Sequence, residues 1–474
     1  MLKKILLLIS FCCSLAGWQF NQLLAGELFV SDPAKFTGSV DSAKPGDTVI
    51  IKNGSWKDIK LSVNKGGASG KPLIIRAETP GGAVFSGASS LELNAPFVTV
   101  DGLFFWKGAL KKGSVIQFNS ENDIVRNTAV VDYNPESFET KYHWVYFNGD
   151  NNLAEHCFFN GKKHMGPLIA NAQKSSRHNA VKSSYFKDIP YVKANGRSVF
   201  TIFGYGHDRE TGDDGAFFTI EGNLFENAHG EGNEIICLKS GHNLVLRNTI
   251  LSTIGGIDIR SGDFNTIEEN VILGRGVEKS YGIRIDGRHQ TVNDNLISGC
   301  DFGIKIECGE FIEEALTPEY AAKVPHPGAD VELGRIALYP QTKHLLLSGN
   351  FLAGNTNYDL EVGSNYKKHW PQAQNVLLPE ECAITDNVFA REKGGTSVTG
   401  TTPDTSAPLD RFKFKPNIYT GNLLLGGKND LPTAVSGFKC LEYSKDFPGA
   451  PVAAKLKPLA PADVCPSWVL AKGF

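Results

Sequence analysis

Four short segments carry charged side chains at matching positions. They are Glu234–Ser240 (EIICLKS), Gly256–Gly262 (GIDIRSG), Gly282–Gly287 (GIRIDG) and Gly303–Glu307 (GIKIE). Aligned on their Gly-Ile pairs, Asp258, Arg284 and Lys305 fall in one row. Lys239, Arg260, Asp286 and Glu307 fall two residues further along. Two residues is one strand period, so both rows share a face and the intervening isoleucines take the opposite one. Cations on adjacent strands would stand about 5 to 10 Å apart. Such a face is either a solvated, self-neutralising charge ladder or a groove for a chain of carboxylated sugars.

The elements that hold these rows repeat. A short alternating run, an Asn and two apolar residues recur around Asn223, Asn248, Asn270 and Asn295, and again at Asn350 and Asn387. A period of 20 to 30 residues built from short strands and turns is the mark of a solenoid. The expected fold is therefore all-β, a single parallel β-helix, with each recurrent Asn facing inward to satisfy turn backbone groups. Strands are expected within Ala43–Gly54, between turns, at Lys71–Ala77 and at Phe97–Leu103. Residues 310–339 read as a short helical insertion. Residues 1–25 read as a signal peptide, with Lys3 and Lys4 before an apolar run from Ile5 to Cys13 and small residues after it. Residues 26–391 read as the β-helix and 392–474 as a loop-rich C-terminal cap packed on it.

Composition narrows the function. The chain has 474 residues, 48 Lys and Arg against 51 Asp and Glu, and a net charge of −3. That balance argues against a general nucleic-acid binder. No apolar run after the N-terminus reaches the ~18 residues of a membrane span. Beyond Cys12 and Cys13 the cysteines are scattered, with no C-x-x-C pair, so neither a disulfide framework nor a zinc site is expected. The reading is an exported, monomeric protein, periplasmic or secreted.

The chain also resembles polysaccharide lyase family 6, the chondroitinase B and alginate lyase family, over roughly Leu28 to Phe389. The likeness rests on Lys44–Thr48 (KPGDT), Lys52–Gly54 (KNG), Arg76–Gly82 (RAETPGG) and Val100–Leu103 (VDGL). Its most specific part is Asn233–Ser240 (NEIICLKS), followed one coil later by an arginine. The resemblance implies a right-handed parallel β-helix and β-elimination in a uronic-acid polysaccharide, alginate first and dermatan sulfate second. It implies Lys239 as base, Arg260 as acid, and Arg284 and Lys162 as substrate contacts, to which the charged row adds Lys305. It also implies Glu234 as part of a calcium site that neutralises the substrate carboxylate. The chemistry is coherent: neutralising the uronate makes the adjacent proton more acidic, and nearby cations help a lysine shed its own proton. Arginine is a weak acid, which leaves transition-state charge stabilisation as the alternative role for Arg260.

Some positions depart from the family pattern. Ser261 stands where a His often follows the arginine. Gly232 stands where a second calcium carboxylate is usual, with Glu231 shifted by one, and 197–202 lack an Asn in register. Calcium is therefore possible on an incomplete ligand set. Weaker candidates are the acidic loop 207–215, His164, His229, and the alternating Tyr142, Trp144 and Tyr146. A glycoside hydrolase would need facing carboxylates, for which Asp258 and Asp286 are the visible pair. A non-catalytic carbohydrate-binding solenoid is the remaining alternative.

Overall fold

The computed structural model describes residues 25–173, 176–204, 215–311, 339–370, 373–401, 414–432, 435–444 and 452–474. Among them the strands form three parallel sheets of 14, 13 and 14 strands and one small antiparallel sheet. Neighbours within each large sheet come from successive turns of the chain, as expected of a right-handed β-helix. The 13-stranded sheet carries Glu234–Lys239 and is the site sheet. The chain then turns into Leu244–Leu246 of a second sheet, and turns again into Thr249–Leu251 of a third.

Inward residues of the three sheets make one core running along the coil axis. Ile257, Ile259, Ile283, Ile285, Ile304 and Ile306 are all buried in it. The recurrent asparagines form the inward ladder expected between the second and third sheets. From Asn223 through Asn248, Asn270, Asn295, Asn350 and Asn387 to Asn422, each Oδ1 accepts the backbone N–H and the Nδ2 of the Asn one coil earlier. The turn needs a left-handed residue just before each Asn, and Arg247, Glu269 and Asp294 accept it at φ 53, 55 and 51°.

A second ladder lies between the site sheet and the second sheet. Asp123 sits in it, taking a hydrogen bond from Val98 N at 2.8 Å and giving one to Asn152 Oδ1 at 2.9 Å. Its Oδ2 is buried with no hydrogen-bond partner, and burial pushes the carboxyl up to about 7. A folded-state value above the unfolded one gives stability at low pH that is lost as pH rises through 7. Asp123→Asn copies the residues at 152 and 179 and should relieve that loss. We expect a higher thermal midpoint at pH 8, worth at most about 4 kcal/mol, and little change at pH 4. An equal gain at both pH values would show that charge burial is not the cause.

The ends depart from the expected boundaries. Thr396–Gly400, Ile418–Thr420, Asn422–Leu425, Lys428–Asp430 and Phe438–Leu441 continue the three sheets, so coil stacking runs well past 391. The tail 452–474 then returns along the outside of the third sheet. Trp468 Nε1 donates to Asn127 O at 2.9 Å and its ring meets Phe104 at 5.3 Å. This covers Phe104, Phe158, Tyr185 and Leu224, outward apolar residues that would otherwise be exposed. At the other end, the helix Phe36–Ser42 closes the core with Phe36 and Val40. Most of the anticipated insertion, 312–338, and the anticipated signal peptide, apart from Ala25, lie outside the described residues.

Candidate active site

The site sheet builds the first expected row. Cys237 pairs with Asp258, Asp258 with Arg284, Arg284 with Lys305, and Lys305 with Glu361. The second row differs from the alignment. Leu238 pairs with Ile259, but Lys239 pairs with Ser261, so Arg260 is the extra residue of a β-bulge. A bulge bends its strand and re-aims its side chain, which moves the Arg260 side chain out of simple register with Lys239.

The turns after these strands are held twice over. Inside, Phe218 N donates to Asn243 Oδ1, Asn243 N to Asn265 Oδ1 and Asn265 N to Gln290 Oε1, at 2.8 to 3.0 Å. Outside, the rings of His178, Phe217, His242, Phe264, His289 and His344 stack at centroid spacings of 4.7 to 5.0 Å. All six are at positive φ. This double ladder was not read from the sequence. Its signal is present as a ring followed by an amide at 178–179, 242–243, 264–265 and 289–290.

The charges are buried, which overturns the solvated-ladder reading. Asp258 and Asp286 have no exposed surface, and Glu307 is almost as enclosed. Arg284 lies between the two aspartates, 3.2 Å from Asp258 Oδ2 and 3.7 Å from Asp286 Oδ2. Neither aspartate has a hydrogen-bond partner with good geometry. Burial pushes both carboxyls well up, against the pull of Arg284. The guanidinium of Arg284 loses hydration too, but Asp258, Asp286 and Glu307 hold it firmly charged. Burial alone would raise Glu234; the Cys237 hydrogen bond and the nearby Arg284, Arg260 and Lys239 hold it below the usual range.

Asp258 and Asp286 are both committed to Arg284, and Glu307 and Glu361 lie beside Lys305. Lys239 and Arg260 are the cations left unspent. Among the described residues neither makes a hydrogen bond or ion pair; Lys239 Nζ lies 5.5 Å from the Phe203 ring and Arg260 Cζ 5.1 Å from the Tyr339 ring.

The other candidates separate. Lys305 Nζ sits 3.5 Å from the Phe302 ring, and burial lowers its pKa against the pull of Glu361 and Glu307. Lys162 is not a groove residue. It is 1% exposed, and its ammonium donates to the carbonyls of His164 and Gly166 at 2.6 and 2.7 Å. Burial, then Arg197, drives its pKa well down. Tyr142 and Trp144 are core residues, both donating to Tyr133 O, whereas Tyr146 lies on the outward row of the site sheet. His164 is buried against Tyr142 and His229 Nδ1 accepts from Ile254 N, both structural roles. The acidic loop falls outside the described residues but for Gly215. Asp258 and Asp286 are bound to one arginine and do not face each other across a groove, which removes the hydrolase pair.

The residues present do not fit a calcium ion at the expected place. Glu234 is buried among three cations, and Gly232 offers no side chain. Glu231 is committed elsewhere, its Oε2 accepting from Gly196 N and Arg197 N at 2.6 and 2.7 Å. Among the described residues no three acidic, His or Cys side chains are arranged to hold a metal ion. A hard cation wants six or more oxygen ligands, not one carboxylate facing cations.

Comparison with known proteins agrees with this geometry. The family model described as Chondroitinase B matches residues 30–430. The PL6 family polysaccharide lyase Pedsa3628 from Pseudopedobacter saltans is 42% identical, with 93% of this chain and 99% of that chain covered and a TM-score of 0.81. The PL6 family alginate lyase AlyGC shares the fold at 24% identity and a TM-score of 0.77, over 94% of this chain and 59% of its own. A mannuronic acid specific family 6 lyase from human gut microbiota shares the fold at 23% identity and a TM-score of 0.70, over 89% of this chain and 92% of its own. Among curated protein sequences nothing matches. With a family match across most of the chain and a site of unspent cations on its outer face, this protein belongs to polysaccharide lyase family 6 and is a polysaccharide lyase.

Proposed function

We propose that the chain cleaves alginate by β-elimination, with Lys239 as base and Arg260 at the leaving oxygen. The observation that carries this reading is the unequal spending of charge: Arg284 is held between Asp258 and Asp286, while Lys239 and Arg260 stand on adjacent strands with no hydrogen-bond or ion-pair partner among the described residues. Lys239 in its neutral form takes the proton from the carbon beside the uronate carboxylate. The electron pair closes a double bond, the glycosidic oxygen leaves, and Arg260 stabilises or protonates that oxygen. Cations without ion-pair partners stabilise the negative charge that builds on the carboxylate in the transition state. Arg284 holds Asp258 and Asp286 rather than the substrate, with little of its side chain exposed.

The names of similar lyases support alginate as substrate, and the Chondroitinase B family model keeps dermatan sulfate as the second reading. Export follows from the charged and apolar start of the chain and is part of the proposal. The test is ultraviolet absorbance of the unsaturated product on alginate and on dermatan sulfate, each with and without a chelator. We expect a rise on alginate that survives chelation. A rise on dermatan sulfate alone would keep the mechanism and change the substrate. A rise abolished by chelator and restored by calcium would overturn the metal-free reading, and no rise on either would remove both substrates.

A further inference from the structure

We infer that Tyr339 is a positioning residue for Arg260, and this rests on the lyase reading above. Its ring lies 5.1 Å from Arg260 Cζ and 5.6 Å from Arg284 Cζ, so one aromatic ring serves two guanidinium groups on neighbouring strands. The ring quadrupole attracts both cations and offsets their mutual repulsion. For Arg284 this adds to the two aspartates. For Arg260 it is the only contact of this kind among the described residues. A contact to the side chain through an aromatic ring leaves the N–H donors of Arg260 unspent and available to a leaving oxygen.

Tyr339 is well anchored for this task. Its carbonyl accepts from Glu310 N at 2.9 Å, and Pro340 O accepts from Gly287 N at 3.3 Å. Two residues further on, Thr342 Oγ1 donates to Ile285 O at 3.0 Å and Glu307 O at 3.2 Å. The segment that carries the ring is thus tied to the site strands themselves. Burial raises the Tyr339 phenol, and Arg260 and Arg284 pull it back down, consistent with a neutral ring beside two cations.

Tyr339→Phe keeps the ring and Tyr339→Leu removes it. Arg260 acts on charge that appears in the transition state, so its misplacement is read mainly in kcat and less in KM. We expect Tyr339→Phe to retain kcat within about 3-fold and Tyr339→Leu to lose about 10-fold or more, the scale of a desolvated cation–π contact. Independently of activity, the Arg260 side-chain NMR signal, assigned with Arg260→Lys, should show a ring-current shift in the wild type and in Tyr339→Phe that is absent in Tyr339→Leu. An unchanged kcat in Tyr339→Leu would overturn the proposal. So would an equal fall in both variants, which would make the hydroxyl the working group. If the wild type yields no unsaturated product, the lyase roles of Lys239 and Arg260 fail and the NMR shift decides alone: the same Arg260 signal in wild type and Tyr339→Leu refutes the contact.

Discussion

Lys239→Ala should lower the rate of unsaturated-product formation by about 10³-fold, within the range for loss of a general base, and leave folding intact. Both halves follow from the same geometry. The Lys239 side chain has no hydrogen-bond or ion-pair partner among the described residues, and the Phe203 ring lies near it. Truncation breaks no direct pair and leaves Arg284 and Arg260 acting on the buried Glu234, so the thermal midpoint should move by no more than a few degrees. The loss should appear in kcat, because the base acts in the transition state and not in the ground-state complex. Activity within 10-fold of the wild type, with full folding, would exclude Lys239 as the base.

Arg284→Met should do the reverse at a position only two coils away. Here the cation is ion-paired with two aspartates, and its removal leaves Asp258 and Asp286 buried without their common partner. Breaking one side of a buried ion pair costs about 3–5 kcal/mol. The sign of the pH effect is fixed by the carboxyls. Burial already raises both in the folded state, and loss of Arg284 raises them further. A raised folded-state value gives stability that is present below the unfolded value, ~4, and lost as pH climbs. The variant should therefore lose far more thermal stability at pH 8 than at pH 5. An equal loss at both would point to packing around the side chain rather than to stranded charge. Together the two substitutions separate two cations of one row pattern, one spent on structure and one kept for chemistry.

That difference was invisible in the aligned segments, where Lys239, Arg260, Arg284 and Lys305 look alike. What is local was legible. The alternation of Ile257, Ile259, Ile283 and Ile285 with charged residues reports a strand face, because side chains alternate with period two. The recurrence of Asn248, Asn270 and Asn295 reports a coil, because each turn must pair the same backbone groups. The row Asp258, Arg284 and Lys305 came out in register for the same reason.

The rest depended on parts of the chain far away in sequence. The bulge at Arg260 breaks a register that regular pairing would predict, and no residue at 260 announces it. Lys162 looks like any exposed lysine until the carbonyls of His164 and Gly166 take its ammonium as a donor and Arg197 closes over it, donating to the Lys162 carbonyl. Glu231 looks like a displaced metal ligand until the 196–197 backbone claims its carboxylate. Tyr339 reaches Arg260 from a segment far along the sequence. Repeat, strand face and fold class were set by near-neighbour periodicity and could be read along the chain. Which charges are desolvated, which are paired and which stay available are set by burial and by contacts between distant segments, so they emerged only in the folded molecule.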